Sequence, residues 1–291
     1  MKKLLVTGAS GFLGWNLCQV ANREWEVYGT YCSQPLAISG TNLIKLDLQD
    51  FQAVKTLIGE LKPDAIIHTA AKSKPNYCQT HPEESYSVNV EASLNLAGLC
   101  ADSNIPLAFT STDLVFDGFN PPYRETDPVS PICLYGEHKV MAEQGMAKRY
   151  PQTAICRMPL MFGVTPPTTK TFIQYFLQDM RQGKELSLFT DEVRTPVSGT
   201  TAAEGLLLAV EKVTGIIHLG GKESISRYDF GVLMADIWDL PQAKFRTCLQ
   251  KDVPMAAPRS PNTSMDSSQA FALGYKPPSI REELVALRPQ I

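Results

Sequence analysis

Short apolar runs recur through the first half of the chain, and each gives way to a stretch with the apolar spacing of a helix. KLLVT, EVYGTY, NLIKL, AIIHTA, PLAFTS and TAICR read as strands. Between them, Phe12 to Ala21, Phe51 to Leu61, Glu83 to Ala101 and Tyr135 to Lys148 read as helices. This alternation predicts an α/β fold with a parallel sheet of βαβ units over residues 1–160. After Arg157 the rhythm loosens at Pro159, Pro166 and Pro167. The pattern then predicts helices over Phe172 to Arg181 and Thr200 to Val213, a strand over Gly215 to Leu219, and a helix capped by Ser226. A proline-rich loop from Val253 to Pro261 precedes a last helix over Ser279 to Ala286. Residues 161–291 therefore read mainly as a smaller C-terminal α/β substrate-binding region, with parts of 190–225 rejoining the first domain. No internal repeat or low-complexity tract interrupts the chain.

Composition narrows this picture. The 291 residues are 44% hydrophobic, enough for a packed core, and 27 basic against 30 acidic side chains leave a net charge of -3. That balance offers no global attraction for nucleic acid or an anionic membrane, so an anionic ligand would need local cations. The apolar run at the amino terminus breaks at Thr7 and Gly8, too soon for a signal-peptide core. The seven cysteines are odd in number and lack metal-ligand spacing, which predicts thiols in a reducing compartment and a cytoplasmic location. The four histidines share no ligand spacing either, so no metal is expected. His68 and His218 read as strand-end packing, His81 and His138 as surface. Met141 and Met146, with Val140 and Ala142, read as the core and interface faces of the Tyr135 helix.

The glycines supply the first candidate chemistry. TGASGFLG follows the first strand and opens the first helix, with Gly8, Gly11 and Gly14 at GxxGxxG spacing. In that context Gly8 permits the tight turn, Gly11 lets backbone approach a pyrophosphate, and Gly14 lets helix pack closely on strand. Ser10, Phe12 and Leu13 add groups at a helix start that favours negative charge. The expectation is a Rossmann-type doubly wound sheet binding a nicotinamide dinucleotide. The second strand ends Gly29-Thr30-Tyr31-Cys32-Ser33-Gln34, with no carboxylate to repel a 2′-phosphate, so NADP(H) is favoured over NAD(H). A positive partner is also missing there, Arg23 being the only arginine nearby. Asp47 and Leu48 suit the adenine, and Ala70, Ala71 and Lys72 leave room for cofactor at a strand's carboxyl end.

Tyr135 and Lys139 stand four residues apart on one helix, so their side chains can act at one point. A neighbouring ammonium is expected to stabilise the phenolate and bring its titration toward the range useful for acid-base work. Thr112, at the end of the PLAFTS strand, could polarise a carbonyl that Tyr135 protonates.

TGASGFLG, LDLQD, HTAAK, YSVNV, STDLVFDG, YGEHK, RMPLMFG and DEVRTP together look like the extended short-chain dehydrogenase/reductases, over nearly the whole chain. STDLVFDG, GIIHLGGKESISRYDF and the closing APRSPNTSMDSSQAFALGYKP most resemble dTDP-4-dehydrorhamnose reductases and their relatives. The resemblance implies hydride transfer to a ketone on a nucleotide-linked deoxysugar, with Thr112, Tyr135 and Lys139 as catalytic threonine, tyrosine and lysine. It also implies a supporting role for Asn89, a cofactor contact at Pro159, and substrate contacts at Asp113, Arg194 and Arg259, the two arginines for the nucleotide diphosphate. A homodimer through the Tyr135 helix is expected by analogy.

Two departures bear on the sugar. Leu114 stands where the rhamnose reductases usually have tyrosine, and Leu160 where they usually have tryptophan. Both aromatics sit near the sugar in that family, so the reaction class follows from the resemblance and the particular sugar does not. With Leu114 in place of an acid, a dehydratase would lack its base. An epimerase using the same tyrosine and lysine, and an NADP-binding regulatory subunit without turnover, both remain open readings.

Overall fold

The computed structural model describes every residue except Pro35 and Thr168. Its centre is a seven-stranded parallel sheet. Six strands are β1 (Lys2–Thr7), β2 (Trp25–Tyr31), β3 (Thr41–Lys45), β4 (Ala65–His68), β5 (Leu107–Thr112) and β6 (Ala154–Met158). The seventh, Gly215–His218, comes from the second half of the chain and pairs with β6. The spatial order is Gly215–His218, β6, β5, β4, β1, β2, β3. The order reverses between β1 and β4, and the crevice at such a switch point is where doubly wound sheets take their ligands.

Period-2 alternation divides each strand between two cores. On β1, Leu4 and Val6 join the layer with Leu13 and Leu17 of α1 (Phe12–Ala21) and Leu206 of the Gly199–Lys212 helix. Leu5 faces the opposite layer with Ile58 of α2 (Phe51–Leu61), Leu96, Phe109 and Met146. A third core of Phe162, Leu177, Phe230 and Leu284 lies within the second half. Glu283 ties the closing helix to this body: its carboxylate, buried, accepts hydrogen bonds from Ser198 N at 3.0 and 3.1 Å and from the Thr201 hydroxyl.

Most helices lie where the apolar spacing puts them. The largest difference is between β4 and β5. There the chain forms α3 (Pro75–Thr80), α4 (Pro82–Tyr86), a π turn over Ser87–Glu91, and α5 (Ala92–Ser103). The expected helix from Glu83 thus starts at Pro82 and carries one wide turn in its middle. The helix α6 (Leu134–Arg149) follows. The parallel pair Glu185–Phe189 with Lys244–Cys248 has no counterpart in the sequence reading; Lys244–Cys248 has no buried residue, and Glu185–Phe189 buries only Leu186 and Leu188. Among the described residues, no helix is long and apolar enough to cross a membrane.

Candidate active site

The turn between β1 and α1 is shaped by what its glycines lack. Gly8 has φ +74°, and a Cβ there would lie 2.7 Å from the Ala70 Cα. A Cβ on Gly14 would overlap the Gly8 carbonyl oxygen. The turn is therefore closed against the loop after β4, leaving the α1 amino terminus facing a cleft of about 560 Å³. Gly8, Ser10, Gly11, Phe12, Leu13 and Gly14 line it from this side, and Asp47, Leu48, Ala70, Ala71 and Lys72 from the loops after β3 and β4. Thr30 to Ser33 form its far end, while Arg23 is exposed and takes no part in the lining. Lys72 is the one cationic side chain among the lining residues, and its Nζ is paired with Glu84 Oε1 at 2.5 Å.

The π turn accounts for the position of Asn89. This turn directs a buried amide at the β4 loop, where Asn89 accepts from Lys72 N at 2.9 Å and donates to Lys72 O at 3.0 Å. A second bond, from Asn89 Nδ2 to Ser85 Oγ at 3.1 Å, continues to His138 Nδ1, 2.9 Å from the same hydroxyl. His138 is therefore buried, correcting the expectation of a surface residue: α6 packs against α4, and Ser85 gives the ring a partner. His68 is clasped between Thr7 Oγ1 at 2.6 Å and Ser93 Oγ at 3.0 Å, and burial pushes its pKa down to about 3.

Tyr135 reaches the cleft wall from the first turn of α6. Its neighbour must be Gly136, because a Cβ there would collide with the Leu114 carbonyl oxygen. Behind the phenol lie Cys78, Cys133 and Ala257, with Leu114 packed on them, so the departure at Leu114 makes an apolar wall. Burial, aided by Cys78 and Asp113, pushes the Tyr135 phenol well above its usual value, with the nearby Thr112 hydroxyl acting weakly the other way. Lys139 is buried one turn on, with Nζ 4.1 Å from the Phe109 ring centroid, and burial lowers its amine to about 7. The expected lowering of the tyrosine by the lysine is thus corrected: desolvation dominates, and Cys78, Asp113 and Cys133 push the phenol the same way. A phenol that keeps its proton is the form an acid needs.

Thr112 lies at the end of β5, where its hydroxyl accepts from Leu114 N and donates to Asp113 Oδ1, both at 3.2 Å. Ser111, beside it, lines the cleft with a buried hydroxyl that has no protein partner. The sequence reading passed over it because serine at a strand end is common packing material.

Asn89, Thr112, Asp113, Lys139, Pro159, Arg194 and Arg259 stand outside the cleft lining, so that of the expected catalytic residues Tyr135 alone is part of it. Asp113 is buried, 3.5 Å from Arg194 Nε and accepting from Thr263 Oγ1 at 2.7 Å. Arg194 spends its remaining donors on the carbonyls of Val193, Ser260 and Pro261. Both residues expected at substrate therefore tie the C-terminal loop to β5, since buried charges are held by partners. Arg259 is half-buried, donates to Asn76 Oδ1 at 3.1 Å, and keeps Nη1 without a protein partner. Pro159 is buried directly after β6, between Met158 and Met161 of the cleft wall. Among the described residues no group of three or more His, Cys, Asp or Glu side chains could hold a metal ion.

A nicotinamide dinucleotide suits the residues of this cleft: the glycine turn lines it at the α1 amino terminus, and Ser111, whose buried hydroxyl has no protein partner, lines it as well.

Comparison with known proteins agrees with the geometry. Residues 1–290 match the family described as RmlD substrate binding domain. The methionine adenosyltransferase 2 subunit beta of Xenopus laevis is 31% identical over 97% of this chain and 87% of its own. A probable low-salt glycan biosynthesis reductase of Haloferax volcanii is 29% identical over 97% of this chain and 96% of its own. A hypothetical dTDP-4-dehydrorhamnose reductase from Sulfolobus tokodaii has 30% identity and a TM-score of 0.81 over 94% of each chain. The Bacillus anthracis dTDP-4-dehydrorhamnose reductase in complex with NADP, 21% identical, shares the fold at a TM-score of 0.89 over 100% of both chains.

Proposed function

Because this chain belongs to the RmlD substrate-binding family, we propose that it is an NADP(H)-dependent reductase of a nucleotide-linked keto-deoxysugar, with Tyr135 as general acid. The observation that carries the reading is the buried Tyr135 phenol, set at the wall of a cleft floored by the Gly8–Gly14 turn. When bound, the nicotinamide cofactor supplies the hydride for the keto carbon. As the carbonyl π bond opens, Tyr135 would give its proton to the oxygen, and Thr112, at the end of β5, would steady the same oxygen. Lys139, buried one turn along α6 from Tyr135, would hold the cofactor's ribose and offer positive charge behind the phenol. The absence of a carboxylate from Thr30 to Ser33 supports NADP(H), and the NADP complex of the Bacillus anthracis enzyme is in keeping with it. The partly free Arg259 fork suits the anionic part of a nucleotide sugar.

A second reading is an NADP-binding regulatory subunit, favoured by the Xenopus laevis relative, which is named as a subunit and aligns with almost all of this chain. Following NADPH oxidation by the purified protein with a dTDP-4-dehydro-6-deoxysugar, while measuring NADPH binding on the same sample, separates the two. Turnover supports the reductase. Binding without turnover moves the weight to the regulatory subunit, and failure to bind either nicotinamide cofactor defeats both.

A further inference from the structure

The charged side chains that line the cleft are in poor balance for an anionic ligand: Lys72 stands against two carboxylates, Asp47 and Glu84. Asp47 is engaged by its own loop, its Oδ1 accepting from Gln49 N at 3.0 Å. Glu84 instead faces the lysine. Its Oε1 lies 2.5 Å from Lys72 Nζ, and its Oε2 accepts a hydrogen bond from the Tyr77 hydroxyl of α3. The ammonium also lies 5.5 Å from the centroid of the Tyr77 ring, and stacking on His81 at 4.1 Å holds that ring in place.

Lys72 is fixed at its root and free at its tip. Asn89 holds both its N–H and its C=O, and the carbonyl takes a further bond from Cys78 Sγ at 3.1 Å. The side chain is 37% exposed and that of Glu84 42%, so their pair is open to solvent. Exposed ion pairs hold weakly, because water screens the charges and two long side chains must be ordered. Lys72 is two residues beyond Ala70, which closes against Gly8. Two residues span at most about 7 Å, so a pyrophosphate seated at the α1 amino terminus comes within reach of the lysine stem.

We propose that Glu84 sets the affinity for the dinucleotide: Lys72 leaves it for the cofactor's pyrophosphate, and the carboxylate is a built-in competitor for the one cation among the lining residues. The proposal rests on the dinucleotide reading of the cleft and needs no turnover. Charge-assisted bonds to a doubly charged pyrophosphate are stronger than an exposed ion pair. Tyr77 leaves the vacated carboxylate with a partner, so Glu84 need not follow the lysine. With the backbone of Lys72 clamped, the exchange is a rotation of the stem and the loop stays where it is. A carboxylate that merely repelled the cofactor would act whether or not Lys72 were present, whereas a competitor acts only through the lysine.

The test is the Kd of NADPH, read by fluorescence titration in the parent, Glu84→Gln, Lys72→Met and the double variant, with a urea midpoint on each. Glu84→Gln is expected to bind about two- to fivefold more tightly, and Lys72→Met about tenfold or more weakly. In the Lys72→Met background, Glu84→Gln should leave the Kd where Lys72→Met puts it. Unchanged or weaker binding in Glu84→Gln, or the same gain in both backgrounds, would overturn the proposal. Glu84→Asp, whose shorter side chain draws the carboxylate back, should gain less than Glu84→Gln and replaces it if the glutamine variant does not fold; no gain there is equally fatal. NADH carries the same pyrophosphate and should show the same ratios, while a gain confined to NADPH would place the lysine at the 2′-phosphate and refute the exchange as stated. Binding without turnover counts against the reductase reading and leaves this result standing. A parent protein that binds neither cofactor defeats both.

Discussion

At the scale of single residues, burial decides the chemistry more than spacing does. Tyr135 and Lys139 stand four apart, yet desolvation raises the phenol and lowers the amine before either acts on the other. The phenol therefore enters the proposed reaction protonated. Tyr135→Phe keeps the ring and its packing and removes only that proton. We expect a loss of roughly 10²–10⁴-fold in kcat with the NADPH Kd changed by no more than about twofold, because the hydroxyl does not hold the pyrophosphate. Steady-state kinetics and a fluorescence titration on the same preparation check both halves. Full activity in that variant would remove Tyr135 from its role.

At the scale of elements, the π turn over Ser87–Glu91 is the part whose function depends on an irregularity. A regular helix carries its side chains past the β4 loop at fixed intervals, whereas a wide turn can re-aim one of them, and such turns cluster at functional sites. The re-aimed residue is Asn89, which satisfies both the N–H and the C=O of Lys72. Asn89→Leu would leave those two groups without partners, at about 1–3 kcal/mol each. We expect lower stability in urea together with weaker cofactor binding, since the loop being clamped lines the cleft. Loss of stability with an unchanged Kd would confine Asn89 to the fold.

At the scale of the whole molecule, two histidines couple the sheet to pH. His68 lies at the end of β4 and His218 at the end of the last sheet strand, both fully buried. Burial lowers His68 to about 3 and His218 to about 4, with the charges of Lys139 and Arg157 adding to the effect. Both folded values lie below the unfolded value of 6.5. Below pH 6.5 the unfolded chain takes protons that the folded chain refuses, so stability falls as pH drops from 6.5 toward those values. Each histidine should cost about 2 kcal/mol at pH 5 relative to pH 7. Asp113 and Glu283, raised by burial, run the other way near the ordinary carboxylate range, so the comparison needs variants. His68→Gln and His218→Gln, measured by urea denaturation at both pH values, should each lose about 2 kcal/mol less than the parent between them. An identical loss in parent and variants would show that the histidines do not carry the slope.

Local pattern settled the fold class, the glycine turn and most helices of this chain. Apolar runs and three-to-four spacing are properties of neighbouring residues, so the strands from Lys2–Thr7 to Ala154–Met158 were legible, and Gly8, Gly11 and Gly14 had meaning once a strand preceded them. Gly215–His218 is likewise an apolar run, and it pairs with β6. Contacts between distant segments decided the rest. Whether an arginine meets solvent, ligand or carbonyl depends on which loop lies over it, and for Arg194 that loop is Ser260–Pro261, 66 and 67 residues away. The burial of His138 depends on α4, and the Glu143–Arg157 pair requires a helix and a strand to pack before either charge has a partner. Spacing shows which side chains share a face; only the packed interior shows which of them keep a proton, because that depends on the water each has lost.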